Sequence, residues 1–104
     1  MSVLAVVKSD LRPEMAAAWM EYAKANIPVL LSIPGLVEMR GYRTIAGSSQ
    51  SVGTYEFADL VAYATWRSHP EAERIWVESH KYLENISVEL WGPSPVSAAP
   101  LRPE

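Results

Sequence analysis

The sequence predicts an α+β protein, and three observations lead to that class. Apolar runs of strand length occupy residues 2–8, 36–46, 52–57 and 86–91. The longer segments between them repeat apolar side chains at three- and four-residue steps, which is typical of amphipathic helices. Proline, glycine or serine separates most of the segments. The resulting order, β-α-β-β-α-β, predicts one antiparallel sheet with helices on one face, the ferredoxin-like arrangement.

The first strand and the first helix carry clear signals. Residues 2–8 form a continuous, valine-rich run, which predicts a strand buried on both faces. Pro13 suits the first turn of a helix, where its missing N–H costs no hydrogen bond. An apolar stripe then extends from Met15 to Ile33. Because Pro28 lies inside this stripe, we predict that the helix is kinked or split there.

Turn and capping residues delimit the remaining elements. Gly35, after a proline, suits a type II turn before the second strand, and residues 47–51 suit a hairpin loop. Asp59 can cap a short helix, and Pro70 can open another that continues to Leu83. The second helical unit of the fold is therefore predicted to be split in two.

Length and composition predict one folded domain with a tail. The chain has 104 residues, of which 49% are apolar and 20% charged, as in ordinary globular proteins. We assign residues 1–92 to the ferredoxin-like domain. Residues 93–104 contain four prolines and no periodicity, so we predict a C-terminal tail.

Charge and composition argue against several classes of partner. The net charge is −3 and the basic residues are scattered, whereas a nucleic-acid surface needs clustered Lys and Arg. No apolar stretch approaches a membrane span, and the first residues lack the basic region of a signal peptide. The absence of cysteine fits a cytoplasmic protein. We therefore expect a cytoplasmic location, with neither nucleic acid nor membrane as partner.

The first strand also predicts a homodimer. Leu4 and Val6 point to one side of the sheet, while Val3, Ala5 and Val7 point to the other. Helices of one subunit cover only one of these apolar faces. A twofold copy of the chain would cover the second face, because a twofold interface is self-complementary.

Three segments resemble a known family. "SIPGLVEMRGYR", "GTYEFADLVAYATWRSHPEAE" and "VELWGPSP" are similar to segments of the antibiotic biosynthesis monooxygenase-like branch of the dimeric α+β barrels, and the resemblance covers residues 2–92. It implies a dimeric α+β barrel. The superfamily contains cofactor-free oxygenases of polycyclic phenols, haem-degrading oxygenases, polyketide cyclases and isomerases, so fold alone does not select the chemistry.

The resemblance also implies a type of site. In the similar oxygenases, a pocket Trp, Asn and His or Tyr hold an aromatic substrate whose own deprotonated form reacts with oxygen, without flavin or metal. Haem-degrading relatives use an Asn near the first strand. This chain has no Asn in that strand, and Asn26 lies far along the first helix, which departs from the haem-degrading pattern.

Periodicity brings the candidate site residues to the inward faces of the helices. His80 follows Trp76 by one turn, on what the pattern predicts to be the inward face of the third helix. We predict Trp66 and His80 as catalytic residues. The predicted substrate-binding residues are Trp19, Tyr22, Asn26, Tyr63, Arg40, His69 and Trp76. An aromatic pocket of this kind suits a small, flat aromatic molecule.

A structural interpretation competes with each of these assignments. The tryptophans can be core residues, and His80 can be a core histidine that binds a backbone carbonyl. His69 precedes a proline at a helix junction, which favours a turn residue near the surface. Arg40 shares a strand face with Glu38 and Tyr42, so it can form a solvated ion pair, a dimer contact or a polar pocket wall.

Three functions follow from these alternatives. The first is a cofactor-independent monooxygenase of a polycyclic or phenolic compound. The second is a non-oxidative cyclase or isomerase, in which His80 would move protons. The third is a non-catalytic ligand-binding or structural dimer, expected if Trp19, Trp66 and Trp76 fill the space between helices and sheet. Two histidines eleven residues apart, without a carboxylate at ligand spacing, predict no metal site, and we expect no cofactor.

Overall fold

The computed structural model describes residues 2–104 and has the predicted order of elements. The elements are β1 (Val3–Leu11), α1 (Ala16–Ser32), β2 (Leu36–Arg43), β3 (Ser51–Phe57), α2 (Leu60–Arg67), α3 (Pro70–Ser79) and β4 (Leu83–Trp91). The α+β ferredoxin-like fold class is therefore confirmed. Within these residues, no helix has the length and apolar character needed to cross a membrane.

The four strands form one antiparallel sheet in the order β2-β3-β1-β4. Successive side chains of a strand point to opposite faces. Ala5, Met39 and Tyr55 pack into the core beneath the helices, which fixes their face as the helix side. Leu4 and Tyr42 alternate with them and lie on the opposite side. We call that side the outer face; its residues are Leu4, Val6, Glu38, Arg40, Tyr42, Val52, Thr54, Glu56 and Trp91.

The first helix begins later than the sequence predicts. Pro13 lies in a turn before α1, because Glu14 has a φ of 66°, a left-handed conformation that a helix excludes. The amide of Met15 donates to the carbonyl of Arg12 (3.1 Å) and closes this turn. α1 then starts at Ala16, without a side-chain cap.

Pro28 does not split α1, which is continuous from Ala16 to Ser32. Proline removes the hydrogen bond to the carbonyl four residues earlier, that of Lys24. Both Pro28 and Lys24 are exposed, so water can bond the freed carbonyl and the helix tolerates the loss.

The third helix ends earlier than predicted, and the strands next to it are longer. α3 ends at Ser79 rather than continuing to Leu83, which instead pairs with Leu11 at the start of β4. β1 extends to Leu11, and its pairing with β4 shifts register between Lys8 and Asp10, where β4 has one extra residue. The local apolar periodicity at this point was outweighed by the strand pairing.

The core lies between the helices and one end of the sheet. Phe57 has no exposed surface and contacts Trp66 in an edge-to-face arrangement with ring centroids 5.4 Å apart. Leu30 and Ile33, in the last turn of α1 and just after it, pack against this pair. Gly35 permits the close approach of the next turn, since its φ of 109° suits the predicted type II turn. The residues beyond β4 form neither helix nor strand.

Candidate functional site

A cavity of about 800 Å³ lies between the helices and the helix side of the sheet. This volume falls within the range of about 300–1,000 Å³ that is typical of small-molecule sites. Residues of all three helices and all four strands line it. The aromatic side chains therefore do not fill the space between helices and sheet.

The floor of the cavity is formed by two glycines and a tyrosine. Gly41 of β2 and Gly53 of β3 are direct partners across the two strands, and Met39 pairs with Tyr55 next to them. Because Met39 and Tyr55 point to the helix side, the strand alternation puts the two glycines on the same side. At this place the cavity is bounded by backbone.

Trp66 borders the cavity from α2 and carries an unpaired donor. Its side chain is 6% exposed, and its ring packs against Tyr55 and Phe57. Among residues 2–104, its Nε1 is the one buried side-chain nitrogen or oxygen without a hydrogen-bond partner. A buried donor left unpaired costs about 1–3 kcal/mol, so an acceptor supplied by a ligand would stabilise it.

Tyr55 contributes a second donor. Its ring lies 5.7 Å from that of Trp66, centroid to centroid, and lines the cavity. Burial raises the pKa of the Tyr55 phenol above its usual value because the charged form is poorly solvated there. The hydroxyl therefore stays protonated at neutral pH and can donate a hydrogen bond.

A polar network joins α1 to α3 beside the cavity. The Tyr22 hydroxyl donates to Glu78 (2.7 Å), Arg74 donates to Glu78 (2.8 Å), and Arg74 also donates to the amide oxygen of Asn26 (3.2 Å). Burial, and then the hydrogen bond to Glu78, raise the pKa of the Tyr22 phenol. The sequence predicted that Tyr22 and Asn26 bind substrate. Both residues line the cavity, but their polar atoms form hydrogen bonds that hold α1 and α3 together.

Trp19 and Trp76 are two further aromatic residues of the cavity wall. The Trp19 ring stacks on Tyr22 with centroids 6.0 Å apart. The guanidinium of Arg67 lies 4.9 Å from the ring centroid of Trp76 and pairs with Glu73 (2.6 Å). The structure therefore brings Trp19, Trp76 and Tyr63 of α2 to the same cavity.

His80 lies elsewhere than the periodicity predicts. The predicted inward position is wrong because α3 ends at Ser79, and His80 is the exposed cap residue that follows. Its Nδ1 lies 2.7 Å from the backbone carbonyl of Trp76 and its ring packs edge-on against the Trp76 indole. It does not line the cavity.

His69 caps a helix. It is the N-cap residue of α3, and its Nδ1 accepts a hydrogen bond from the amide of Glu71 (3.1 Å). This is the turn position that the proline after it indicated. The imidazole is not among the groups that line the cavity.

Arg40 lies on the outer face, beside Glu38 and Tyr42. Its guanidinium is paired with the Glu38 carboxylate and its side chain is 64% exposed. The hydrogen bonds that it donates to these two neighbours, Glu38 first, raise the pKa of the guanidinium. Arg40 is also among the residues that border the cavity.

Sequence reasoning missed the residues of the floor. Tyr55, Gly41 and Gly53 were seen only as parts of strands. A signal was present, since Gly41 and Gly53 each lie six residues from Gly47 in the hairpin loop, so a symmetric hairpin pairs them.

The lining has a consistent chemical character. Of the residues that border the cavity, none within 2–104 carries a carboxylate or an imidazole. The cationic side chains are those of Lys24, Arg40, Arg43 and Arg67, and the other polar groups are mainly hydroxyls, an amide and indoles. Lys24 and Arg43 form no ion pair within 4.0 Å among the described residues. Such a lining can stabilise an anionic oxygen but offers no ready proton acceptor near pH 7.

The fold is shared with proteins of known structure. A DABB-family protein with a ferredoxin-like fold from Mesorhizobium loti has a TM-score of 0.78 and 18% sequence identity, over 89% of this chain and 97% of its own. A dimeric ferredoxin-like protein from Thermobifida fusca has a TM-score of 0.73 and 12% sequence identity, over 88% of this chain and 90% of its own. A protein described as a putative antibiotic biosynthesis monooxygenase, from Nitrosomonas europaea, has a TM-score of 0.73 and 11% sequence identity, over 88% of each chain.

At these identities the likeness shows the fold alone. The ferredoxin-like fold of the chain is thereby confirmed. No protein-family model matches the sequence, and a comparison with curated proteins finds no match.

Proposed function

We propose that this protein is a homodimer that binds a planar aromatic molecule between its helices and its sheet, and that it acts on this molecule as a cofactor-independent monooxygenase. The observation that carries the proposal is the cavity of about 800 Å³, lined by aromatic rings that include Trp66, whose buried Nε1–H is unpaired. Apolar walls with a few convergent polar groups are typical of sites for aromatic ligands.

The polarity of the lining supports an anionic substrate. Trp66 and Tyr55 provide N–H and O–H donors, while Lys24 and Arg43 provide positive charge. Donors aimed at a phenolate or enolate oxygen stabilise the charged form and lower the pKa of the bound substrate. The substrate then loses its proton to water without a protein base. Trp66 is accordingly the residue that we propose as catalytic.

The reaction balances without a cofactor. A ring CH₂ group next to the phenolic system loses a proton, and the resulting anion gives one electron to O₂. The two radicals join as a peroxide, which takes up a proton and then loses water to leave a ketone. The sum is CH₂ + O₂ → C=O + H₂O, in which the substrate supplies all four electrons that reduce O₂.

A second candidate function is non-catalytic binding of the same class of ligand. The absence of a carboxylate or imidazole from the described lining favours this function over a cyclase or isomerase, which would need a group that moves protons. His80, to which the sequence assigned that role, caps α3 outside the cavity. Its catalytic role remains a prediction that only substitution can test.

The outer face supports the homodimer. It exposes half of the Tyr42 and Trp91 surfaces (50% and 48%) beside Leu4 and Val6. The protein from Thermobifida fusca with this fold is described as dimeric. We expect Tyr42→Glu, which adds a charge to this apolar patch, to give monomers in sedimentation equilibrium, whereas Tyr42→Phe stays dimeric. Dimers of unchanged affinity in the Glu variant would contradict an interface on this face.

Oxygen uptake tests the proposed activity. The purified, metal-stripped protein is mixed with anthrones and hydroquinones, and dissolved oxygen is followed with the Trp66→Phe and Tyr55→Phe variants alongside. Each variant removes one donor and keeps an aromatic ring. Loss of one oxyanion donor typically lowers kcat by about 10²–10³-fold, so we expect slower uptake with each variant.

Two outcomes separate the candidate functions. If ligands bind but no substrate of the panel gives enzyme-dependent oxygen uptake, the monooxygenase function is contradicted and the non-catalytic binding function is supported. Uptake that is unchanged in Trp66→Phe would contradict its catalytic assignment. A separate His80→Ala variant tests the role that the sequence predicted for this residue.

A further inference from the structure

The two glycines of the cavity floor differ in what surrounds them. A Cβ atom added to Gly53 would meet the ring of Tyr55 at 3.4 Å and its hydroxyl at 3.5 Å, which is ordinary van der Waals contact. A Cβ added to Gly41 would have no heavy atom within 4 Å. The ring of Tyr55 therefore lies over Gly53, while the space above Gly41 is open.

Backbone conformation does not explain the glycine at position 41. Gly35 and Gly47 have positive φ values, which favour glycine, but Gly41 does not. It pairs regularly with Gly53 inside β2, an edge strand of the sheet. Glycine in a strand interior costs about 0.5–1 kcal/mol relative to alanine, and no neighbouring side chain takes up the space that a larger residue would fill. In strands, glycine often marks a place where a ligand approaches the backbone closely.

We infer that Gly41 determines the size of the ligand. Its bare backbone, next to the ring of Tyr55, forms the surface on which a planar aromatic ligand of at least two fused rings binds. This inference rests on the proposed ligand site and adds the class of ligand. A flat ring system can lie on the backbone at Gly41 and continue against Tyr55 towards the donor of Trp66. A single ring bound near Trp66 and Tyr55 does not reach the open space above Gly41.

Graded filling of this space tests the inference. Dissociation constants are measured under argon, by quenching of tryptophan fluorescence, for phenol, 1-naphthol and anthrone. The full-length chain is compared with Gly41→Ala, Gly41→Leu and Gly53→Ala. Urea unfolding of each variant shows whether it is folded. The readout is the ratio of the anthrone and phenol affinities, which cancels effects common to both ligands.

The expected results form a series. One methylene misplaced in an apolar pocket changes discrimination by roughly 10–200-fold. We therefore expect the anthrone-to-phenol ratio to fall by about 10-fold in Gly41→Ala and by about 100-fold in Gly41→Leu. In Gly53→Ala the fall should be smaller than in Gly41→Ala, because the new methyl group lies under the ring of Tyr55.

The opposite results overturn the inference in distinguishable ways. If all ligands bind the wild type and the Gly41 variants keep its affinity ratio, the cavity is a ligand site but Gly41 does not set its size. If Gly53→Ala lowers the anthrone-to-phenol affinity ratio as much as Gly41→Ala does, the ligand does not bind in the open space above Gly41. If none of the three ligands binds the wild type, the proposed ligand site fails, and the inference fails with it.

Discussion

The helix side of the sheet is packed at one end and hollow at the other, and a single strand shows the change. Along β3, the residues that point to the helices are Phe57, Tyr55 and Gly53. Phe57 is fully buried against Trp66, Tyr55 lies between core and cavity, and Gly53 has no side chain at all. Two large aromatic side chains at the core end are thus followed by a position without a side chain at the floor of the cavity.

The contrast indicates how a small domain keeps a large cavity open. Apolar contacts of Leu30 and Ile33 hold α1 at the packed end. Towards the hollow end, the hydrogen bonds from Tyr22 to Glu78 and from Arg74 to Asn26 hold the same helix against α3. The polar network fixes the helix spacing without filling the space beneath it. Apolar packing and open space thus lie at different ends of one layer.

Phe57→Ala should have the largest effect. Replacing a buried Phe by Ala typically costs about 3–5 kcal/mol, and Phe57 has no exposed surface. We expect a loss of this size in the free energy of unfolding, measured in urea. The matched change at the hollow end, Gly41→Ala, should leave stability equal or higher by up to about 1 kcal/mol. Equal losses from both variants would contradict the division into packed and hollow ends.

Asp59→Ala should have an intermediate effect at the packed end. The Asp59 carboxylate accepts a hydrogen bond from the amide of Ala62 (2.8 Å) and caps α2, the helix that carries Trp66. Loss of such a cap costs about 1 kcal/mol. Thermal unfolding should show this loss for Asp59→Ala and little change for Asp59→Asn, which keeps a capping oxygen. An Asn variant as unstable as the Ala variant would mean that the oxygen at this position does not act as a cap.

The polar network at the hollow end should appear in the pH dependence of stability. The hydrogen bond from Tyr22, with the charge of Arg74, lowers the pKa of the Glu78 carboxyl in the folded protein. A lowered folded-state pKa stabilises the protein above the unfolded-state pKa, and this contribution is lost as the pH falls through the folded-state value. The effect should be small because Glu78 is partly exposed.

A series of urea titrations between neutral and acid pH tests this dependence. The wild type should lose more stability than Glu78→Gln as the pH falls from about 4.5 downward, starting near the ordinary pKa of a Glu carboxyl. Glu73→Gln, which alters an exposed carboxylate on the same helix outside this network, serves as the comparison. If the free energy of unfolding falls identically at acid pH in the wild type and in Glu78→Gln, the network does not stabilise the protein through this carboxylate.

The sequence was informative where local chemistry decides structure. The N-cap at Asp59, the turn at Gly35 and the helix start at Pro70 were all read from residue type, and the structure has them. Alternation within β2 also put Arg40, Glu38 and Tyr42 on one face, as found. These features depend on a few neighbouring residues, so a single sequence contains what is needed to predict them.

The sequence was misleading where distant pairing overrides local pattern. The apolar stripe of α3 continues to Leu83, but pairing of Leu83 with Leu11 ends the helix first, which moves His80 out of the cavity. The glycine floor was missed for a related reason, since it exists only when β2 and β3 pair in one register. Glycine also has no reactive side chain, so a search of the sequence for chemically active residues does not select it. Here, the absence of a side chain at Gly41 helps to shape the candidate site.

The most direct test of the account is the NMR signal of the Trp66 indole N–H during titration with 9-anthrol under argon. Trp66→Phe identifies the signal, and the Trp91 indole, which donates to Glu89 (2.9 Å) outside the cavity, is the internal control. A ligand oxygen that accepts from the unpaired Nε1–H should shift the Trp66 signal downfield and leave the Trp91 signal in place. A Trp66 signal that does not move while the ligand binds elsewhere, or does not bind, would contradict a ligand site between the helices and the sheet.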